Sequence, residues 1–203
     1  SPLFRLGREI HYTVTDVSTA GSQFDYESPW ANLRRLRVTM LGRHQAANAA
    51  LAVSAALLLR QRGLRISDQA IRRGLAAARM PGRLEIVQRQ PLVVLDGAHN
   101  PEKMRSLAAG LHDLFPGQKP VLVVGLLAAK QAEAVLGEVA PLASRVIATS
   151  PHVLNKPALP PDALAALCRR LGAEVVVEPD VNAAIERALG VAGSAGLVCV
   201  TGS

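Results

Sequence analysis

Residues 80–87 read Met80-Pro81-Gly82-Arg83-Leu84-Glu85-Ile86-Val87, and residues 92–101 read Leu92-Val93-Val94-Leu95-Asp96-Gly97-Ala98-His99-Asn100-Pro101. A Pro-Gly break gives way to a short strand, a turn and a second, apolar strand. That strand runs into a polar loop, and Pro101 suits the first turn of a helix. Arg83, Asp96, His99 and Asn100 gather at this one junction, and each can bind a nucleotide or an acidic substrate. An acidic residue at the carboxyl end of a buried strand stands where open α/β sheets hold their ligands.

Downstream of Arg83, apolar runs alternate with helical patterns. Strands are expected near 84–88, 92–95, 121–126, 145–149, 174–177 and 197–201, and helices near 101–114, 131–142, 161–171 and 181–190. Met104, Leu107, Leu111 and Leu114 give the helix after Pro101 one apolar face. Asp180 and Asn100 suit N-caps, and Pro161 suits a first turn. The first two strands suit a hairpin, whereas strands joined through helices require a mostly parallel sheet with right-handed crossovers.

Upstream, Ile10–Val14 and Leu33–Met40 are strand-like, with the turn formers Gly21-Ser22 between them. Gly42–Arg62 switches to helical spacing and stops at Gly63, and Ser67 caps a second helix carrying Ile71 and Leu75. Pro81-Gly82 marks a domain boundary, with residues 1–79 on one side and 83–203 on the other. The run Ala46–Leu59 is shorter than a membrane span and reads as a buried helix. No signal peptide opens the chain.

The 203 residues include only six aromatics, so the core is built from Leu, Val, Ile and Ala. Cys168 and Cys199 have no metal-ligand spacing around them and read as reduced packing residues of a cytoplasmic protein. Residues 1–82 hold twelve Arg against five Asp and Glu, whereas residues 83–203 hold eleven basic and eleven acidic residues, so the net charge of +7 lies wholly in the first part. Without a recognised motif or interleaved aromatics, that surface does not read as a nucleic-acid binder. Neither G-x-x-x-x-G-K-[ST] nor G-x-G-x-x-G is present. This stretch alone does not grip a triphosphate in the P-loop manner.

The PGR turn and the DGAHNP loop, at this spacing, resemble the C-terminal half of folylpolyglutamate synthase/dihydrofolate synthase, of the Mur ligase superfamily. The segment Leu41-Gly42-Arg43-His44-Gln45-Ala46-Ala47-Asn48 resembles the H-Q-x-x-N end of that family's central domain. The resemblance runs from about Arg8 to Ser203. It implies an α/β chain: a Rossmann-like, mostly parallel C-terminal domain over 83–203, truncated at its end, preceded over 1–79 by the tail of a central ATPase domain. Such enzymes phosphorylate a folate or dihydropteroate carboxylate with ATP, then join glutamate to the acyl phosphate as an amide. The implied ligands are ATP, magnesium, glutamate and folate or dihydropteroate. The P-loop and metal ligands are expected upstream of Ser1, in a missing N-terminal ATPase domain, leaving this chain inactive alone. The complete protein is expected to be a monomer, with no membrane and no nucleic-acid partner. Two alternatives stay open: another Mur-type ligase, acting on a peptidoglycan precursor or cyanophycin, and a non-catalytic nucleotide-binding module.

Site residues follow one by one. Asn48 reads on pattern as a cap or interhelical bond, and by resemblance approaches the adenine side of ATP. Arg83 suits bidentate phosphate binding or an interdomain ion pair. Asp96 suits ribose hydroxyls or the capping of the following helix. His99 is either structural or, by resemblance, near ATP or the incoming glutamate. Ser203 ends Val-Thr-Gly-Ser at a strand terminus, near the implied amino-acid pocket. Lys130 stands where relatives carry Asp-Lys, but Ala129 replaces the acid here. No residue is assigned to catalysis or to a metal.

Overall fold

The computed structural model describes residues 3–128 and 131–202. The chain divides into two compact units, Ser1–Pro81 and Gly82–Ser203. In the first, β1 (His11–Ser18), β2 (Gly21–Ser28) and β3 (Ala31–Val38) form an antiparallel sheet in that order, followed by α1 (Arg43–Gln61) and α2 (Asp68–Ala77). The strand β2 was not expected, because Gly21-Ser22 had marked a turn. Phe24 and Tyr26 nevertheless alternate with Gln23, Asp25 and Glu27, and the two aromatics are fully buried. Leu33, Leu36 and Val38 all face the core although two residues separate the first pair. A bulge at Arg34–Arg35 absorbs the extra residue: the register shifts there and Arg35 takes φ 52°.

The core of this unit joins Phe24, Tyr26, Leu36 and Val38 to Ala46, Ala50, Val53 and Leu57 of α1 and to Ile71 and Leu75 of α2. A deep polar contact in this core is satisfied: Tyr26 lies 2.8 Å from the Ser54 hydroxyl, which itself donates to the Ala50 carbonyl. Ser67 caps α2 as expected, accepting from Ala70 N. In contrast to the buried helix expected, α1 buries only one face. Asn48, Leu51, Ala52, Ala55 and Leu59 lie exposed along the other.

The second unit is mixed α/β. Its sheet contains β4 (Glu85–Arg89), β5 (Leu92–Asp96), β6 (Val121–Gly125), β7 (Arg145–Ala148), β8 (Val175–Val177) and β9 (Leu197–Gly202). Spatial order is β4-β5-β9-β6-β7-β8; only the β4–β5 hairpin is antiparallel. The helices are α3 (Pro101–Leu114), α4 (Ala132–Gly137), α5 (Pro161–Arg170) and α6 (Val181–Ala192). Asn100 and Asp180 cap α3 and α6 through their side chains, and Pro101 and Pro161 sit in first turns. The helix expected over 131–142 breaks after Gly137 and resumes as a single 3-10 turn, Ala140–Leu142. Pro141 explains the break, since it lacks an amide hydrogen and crowds the preceding turn.

Right-handed crossovers fix the layers. The chain steps in one direction from β5 to β6, β7 and β8, then reverses to insert β9 between β5 and β6. That reversal puts α6 on the opposite face from α3, α4 and α5. Val93, Val121, Val123, Ile147 and Val198 pack with Ala184 and Ala188 of α6 on one face. Thr201 reaches Met104 of α3 on the other. Both faces are covered, which is why the central strands read as unbroken apolar runs.

Candidate functional site

The carboxyl ends of the parallel strands lie along one edge. Asp96 of β5 is in register with Thr201 of β9, which pairs with Val124 of β6, and Gly202 pairs with Gly125. A Cβ on Gly202, at φ 117°, would sit 1.8 Å from the Gly125 carbonyl oxygen. Only glycine therefore lets the two strand ends close up without side chains intruding on the edge. Thr201, buried, donates to the Ala98 carbonyl at 3.4 Å and ties the loop after β5 to β9.

Asp96 organises that loop. Its Oδ1 accepts from Ala98 N at 2.8 Å, and its Oδ2 accepts from Leu84 N at 2.8 Å. The Gly97 amide adds a 2.8 Å bond to the Gly82 carbonyl. Asp96 is thus not the cap of α3; Asn100 is, accepting from Lys103 N at 2.9 Å. Leu84 occupies the left-handed region at φ 47°, a conformation costing roughly 1–3 kcal/mol for a residue with a side chain. The Asp96 bond to its amide and the complete burial of its side chain, against Gly110 of α3, hold it there. Between Gly82 and Leu84 stands Arg83, half-buried, with Nη1 3.1 Å from where a Cβ on Gly97 would be. One guanidinium nitrogen thus lies against Gly97, the residue that follows Asp96. The structure so joins a planar cation, a carboxylate and a glycine-lined strand edge.

Residues 82–203 match the family described as Mur ligase, glutamate ligase domain. The chain belongs to this Mur ligase family. Among its relatives is the Bacillus subtilis dihydrofolate synthase/folylpolyglutamate synthase, 40% identical over 109 residues, covering 53% of this chain and 25% of the relative. Among solved structures, Mycobacterium tuberculosis folylpolyglutamate synthase, complexed with ADP and AMPPCP, superposes with TM-score 0.85 at 27% identity, covering 98% of this chain and 46% of that one. The Yersinia pestis bifunctional folylpolyglutamate synthase/dihydrofolate synthase, complexed with AMPPNP and a Mn ion, gives TM-score 0.78 at 27% identity over 98% of this chain and 44% of that one. The chain spans less than half the length of the relatives it matches.

Within this Mur ligase domain, His99 is exposed and both its ring nitrogens are engaged. Nδ1 lies 2.8 Å from the Gly97 carbonyl and Nε2 lies 3.4 Å from Lys103 Nζ. A carbonyl oxygen only accepts, so Nδ1 is the donor and Nε2 accepts from the ammonium. Lys103 was missed in the sequence, although its place four residues after His99 was a signal that the two can meet at the first turn of a helix. Also missed were the strut formed by Asp96 and the strand-end glycines. Asn48 belongs to the first unit, where its side-chain amide donates to Gln45 Oε1 at 3.2 Å on the exposed face of α1. It is neither a cap nor an interhelical bond. Ser203 and Lys130 lie outside the described residues.

Among the described residues, no group of three or more His, Cys, Asp or Glu is placed to hold a metal ion. Nor is any helix long and apolar enough to cross a membrane. Burial raises the Cys168 thiol to about 11. Burial, with the negative charge of Asp96 added, raises that of Cys199 as well. Neither thiol suits nucleophilic chemistry at neutral pH.

Proposed function

We propose that this chain works within an ATP-dependent acid–amino acid ligase of the folylpolyglutamate/dihydrofolate synthase type. The observation that carries the reading is the Arg83–Asp96–Gly97 cluster at the sheet's carboxyl edge, within a segment matching a glutamate ligase domain. In this reading a folate or dihydropteroate carboxylate oxygen attacks the γ-phosphorus of ATP and ADP leaves. The unprotonated amine of glutamate then attacks the acyl carbon, phosphate leaves, and the nitrogen sheds a proton. Arg83 holds a nucleotide phosphate through its planar fork of donors. Asp96 accepts from ribose hydroxyls. Asn48 serves the adenine side, while His99 and Ser203 help to place the glutamate.

Magnesium is the proposed metal. The described residues do not form a cluster that fits it, so its ligands and the grip on the β- and γ-phosphates fall to a region outside this segment. Two features support such a region. The relatives are more than twice as long as the matched stretch. Leu51 and Leu59, 46% and 43% exposed, lie on the apolar stripe of α1 beside Asn48, as on a helix that a further layer covers. The complete ligase is read as a cytoplasmic monomer.

The test is turnover by the ligase carrying this segment, with ATP, magnesium, glutamate and either dihydropteroate or a reduced folate. The expected result is ADP formation that requires glutamate and yields a product one glutamate longer, with none from the 203-residue chain alone. ADP formation indifferent to glutamate would remove the ligase reading. Turnover by the 203-residue chain would remove the claim that the phosphate grip lies elsewhere.

A further inference from the structure

We infer that Lys103 is the residue that meets a carboxylate of the incoming glutamate, and that His99 acts through it as a positioning residue. The inference rests on the ligase reading above and deepens it. His99 is the residue the motif draws attention to, yet its hydrogen-bonding capacity is already used within the chain. Nδ1 donates to Gly97 O at 2.8 Å, and Nε2 faces Lys103 Nζ at 3.4 Å. An imidazole with its one hydrogen on Nδ1 has no donor left for an anion. The ammonium of Lys103 has three donors, and His99 accepts one of them.

The placement is built by the local fold. Asp96 and Thr201 fix the loop 97–98 from both sides, and Gly97 then presents its carbonyl to His99. Asn100 sets the start of α3, which puts Lys103 one turn along, facing the same ring. Its ammonium thus stands at the carboxyl edge of β5 with its position set by the imidazole. Glutamate is a small dianion as far as its carboxylates are concerned. It needs a cation that does not compete with Arg83 for the nucleotide, and Lys103 fits that role.

The experiment is steady-state kinetics of the ligase carrying this segment, varying glutamate and ATP separately, for wild type, Lys103→Met, Lys103→Glu, Lys103→Arg, His99→Ala and the His99→Ala/Lys103→Met double variant. Lys103 is exposed, so these changes do not disturb the core. Loss of one charge-assisted hydrogen bond should raise the KM for glutamate about ten- to a hundredfold in Lys103→Met. Lys103→Glu should raise it at least as much, Lys103→Arg should restore most of it, and the KM for ATP should stay within about twofold throughout. His99→Ala should raise the glutamate KM less than Lys103→Met, and should add nothing in the double variant. A glutamate KM unchanged by Lys103→Met and Lys103→Glu overturns the inference, as does a KM change confined to ATP. A further large rise from His99→Ala in the Lys103→Met background would show His99 touching glutamate directly and would also overturn it. Glutamate-independent behaviour of the wild type removes the ligase reading itself, and this inference with it.

Discussion

Both carboxylate oxygens of Asp96 receive backbone amides, one from its own loop and one from Leu84, twelve residues earlier in the chain. That dual bond is what converts the PGR turn into a fixed platform for Arg83. Asparagine at this position keeps the shape but replaces one acceptor by a donor, which would then face an amide hydrogen. Asp96→Asn is therefore expected to lower unfolding stability by about 1–3 kcal/mol, measured by urea denaturation. A variant as stable as wild type would show that the carboxylate is not the strut of this turn. The residue types of the site were legible from the sequence: Arg83, Asp96, His99 and the Asn100 cap all stand out beside Pro81-Gly82 and Pro101. Their division of labour was not. The Asp96–Leu84 bond joins two loops that only the β4–β5 hairpin brings together, and the left-handed backbone of Leu84 has no signature in a residue that usually avoids it.

Elements with strong local signals were read close to their observed bounds, such as α3 and α6 with their capping residues and the hairpin β4–β5. The misreadings lie where local and tertiary preferences compete. In β2, Gly21 is both a turn former and the first strand residue. In the fourth helix, Pro141 ends a pattern whose apolar spacing continues. β3 is a strand as expected, and its bulge at Arg34–Arg35 is fixed from the neighbouring strand: Asp25 Oδ1 accepts from Arg35 N at 2.7 Å, and Oδ2 pairs with Arg34 at 3.2 Å. The Arg35 amide bond is the main cause holding the Asp25 carboxyl below its ordinary value, with Arg34 adding to it and burial opposing it. A carboxyl lowered in the folded state contributes stability above its unfolded value and loses it as pH falls through the folded one. Acid titration of the melting temperature should show this as a loss below the usual carboxylate range. Asp25→Asn should flatten that part of the curve, and an unaltered acid limb would argue against the bulge contact.

At the scale of the molecule, the class of fold was legible because a sheet covered on both faces leaves continuous apolar strands separated by helical patterns. The order of those strands was not: nothing in Leu197–Val200 says that β9 inserts between β5 and β6 rather than joining an edge. That insertion brings Gly202 and Thr201 to the loop after β5 and buries Cys199 in a central strand, while Cys168 is buried on α5. Both thiols should accordingly resist a disulfide exchange reagent at neutral pH and react only in denaturant; reaction of either in the native protein would contradict that burial. The central claim is that the junction of β5 and α3 serves ATP-dependent ligation, with Arg83 on a nucleotide phosphate. Its most direct measurement is kcat/KM for ATP in the ligase carrying Arg83→Ala, at saturating glutamate, alongside the melting temperature. The expected result is a fall of about ten- to a hundredfold with little change in melting temperature, since a half-buried guanidinium over Gly97 contributes little packing. Wild-type ATP kinetics combined with a lowered melting temperature would make Arg83 a structural residue and contradict the account.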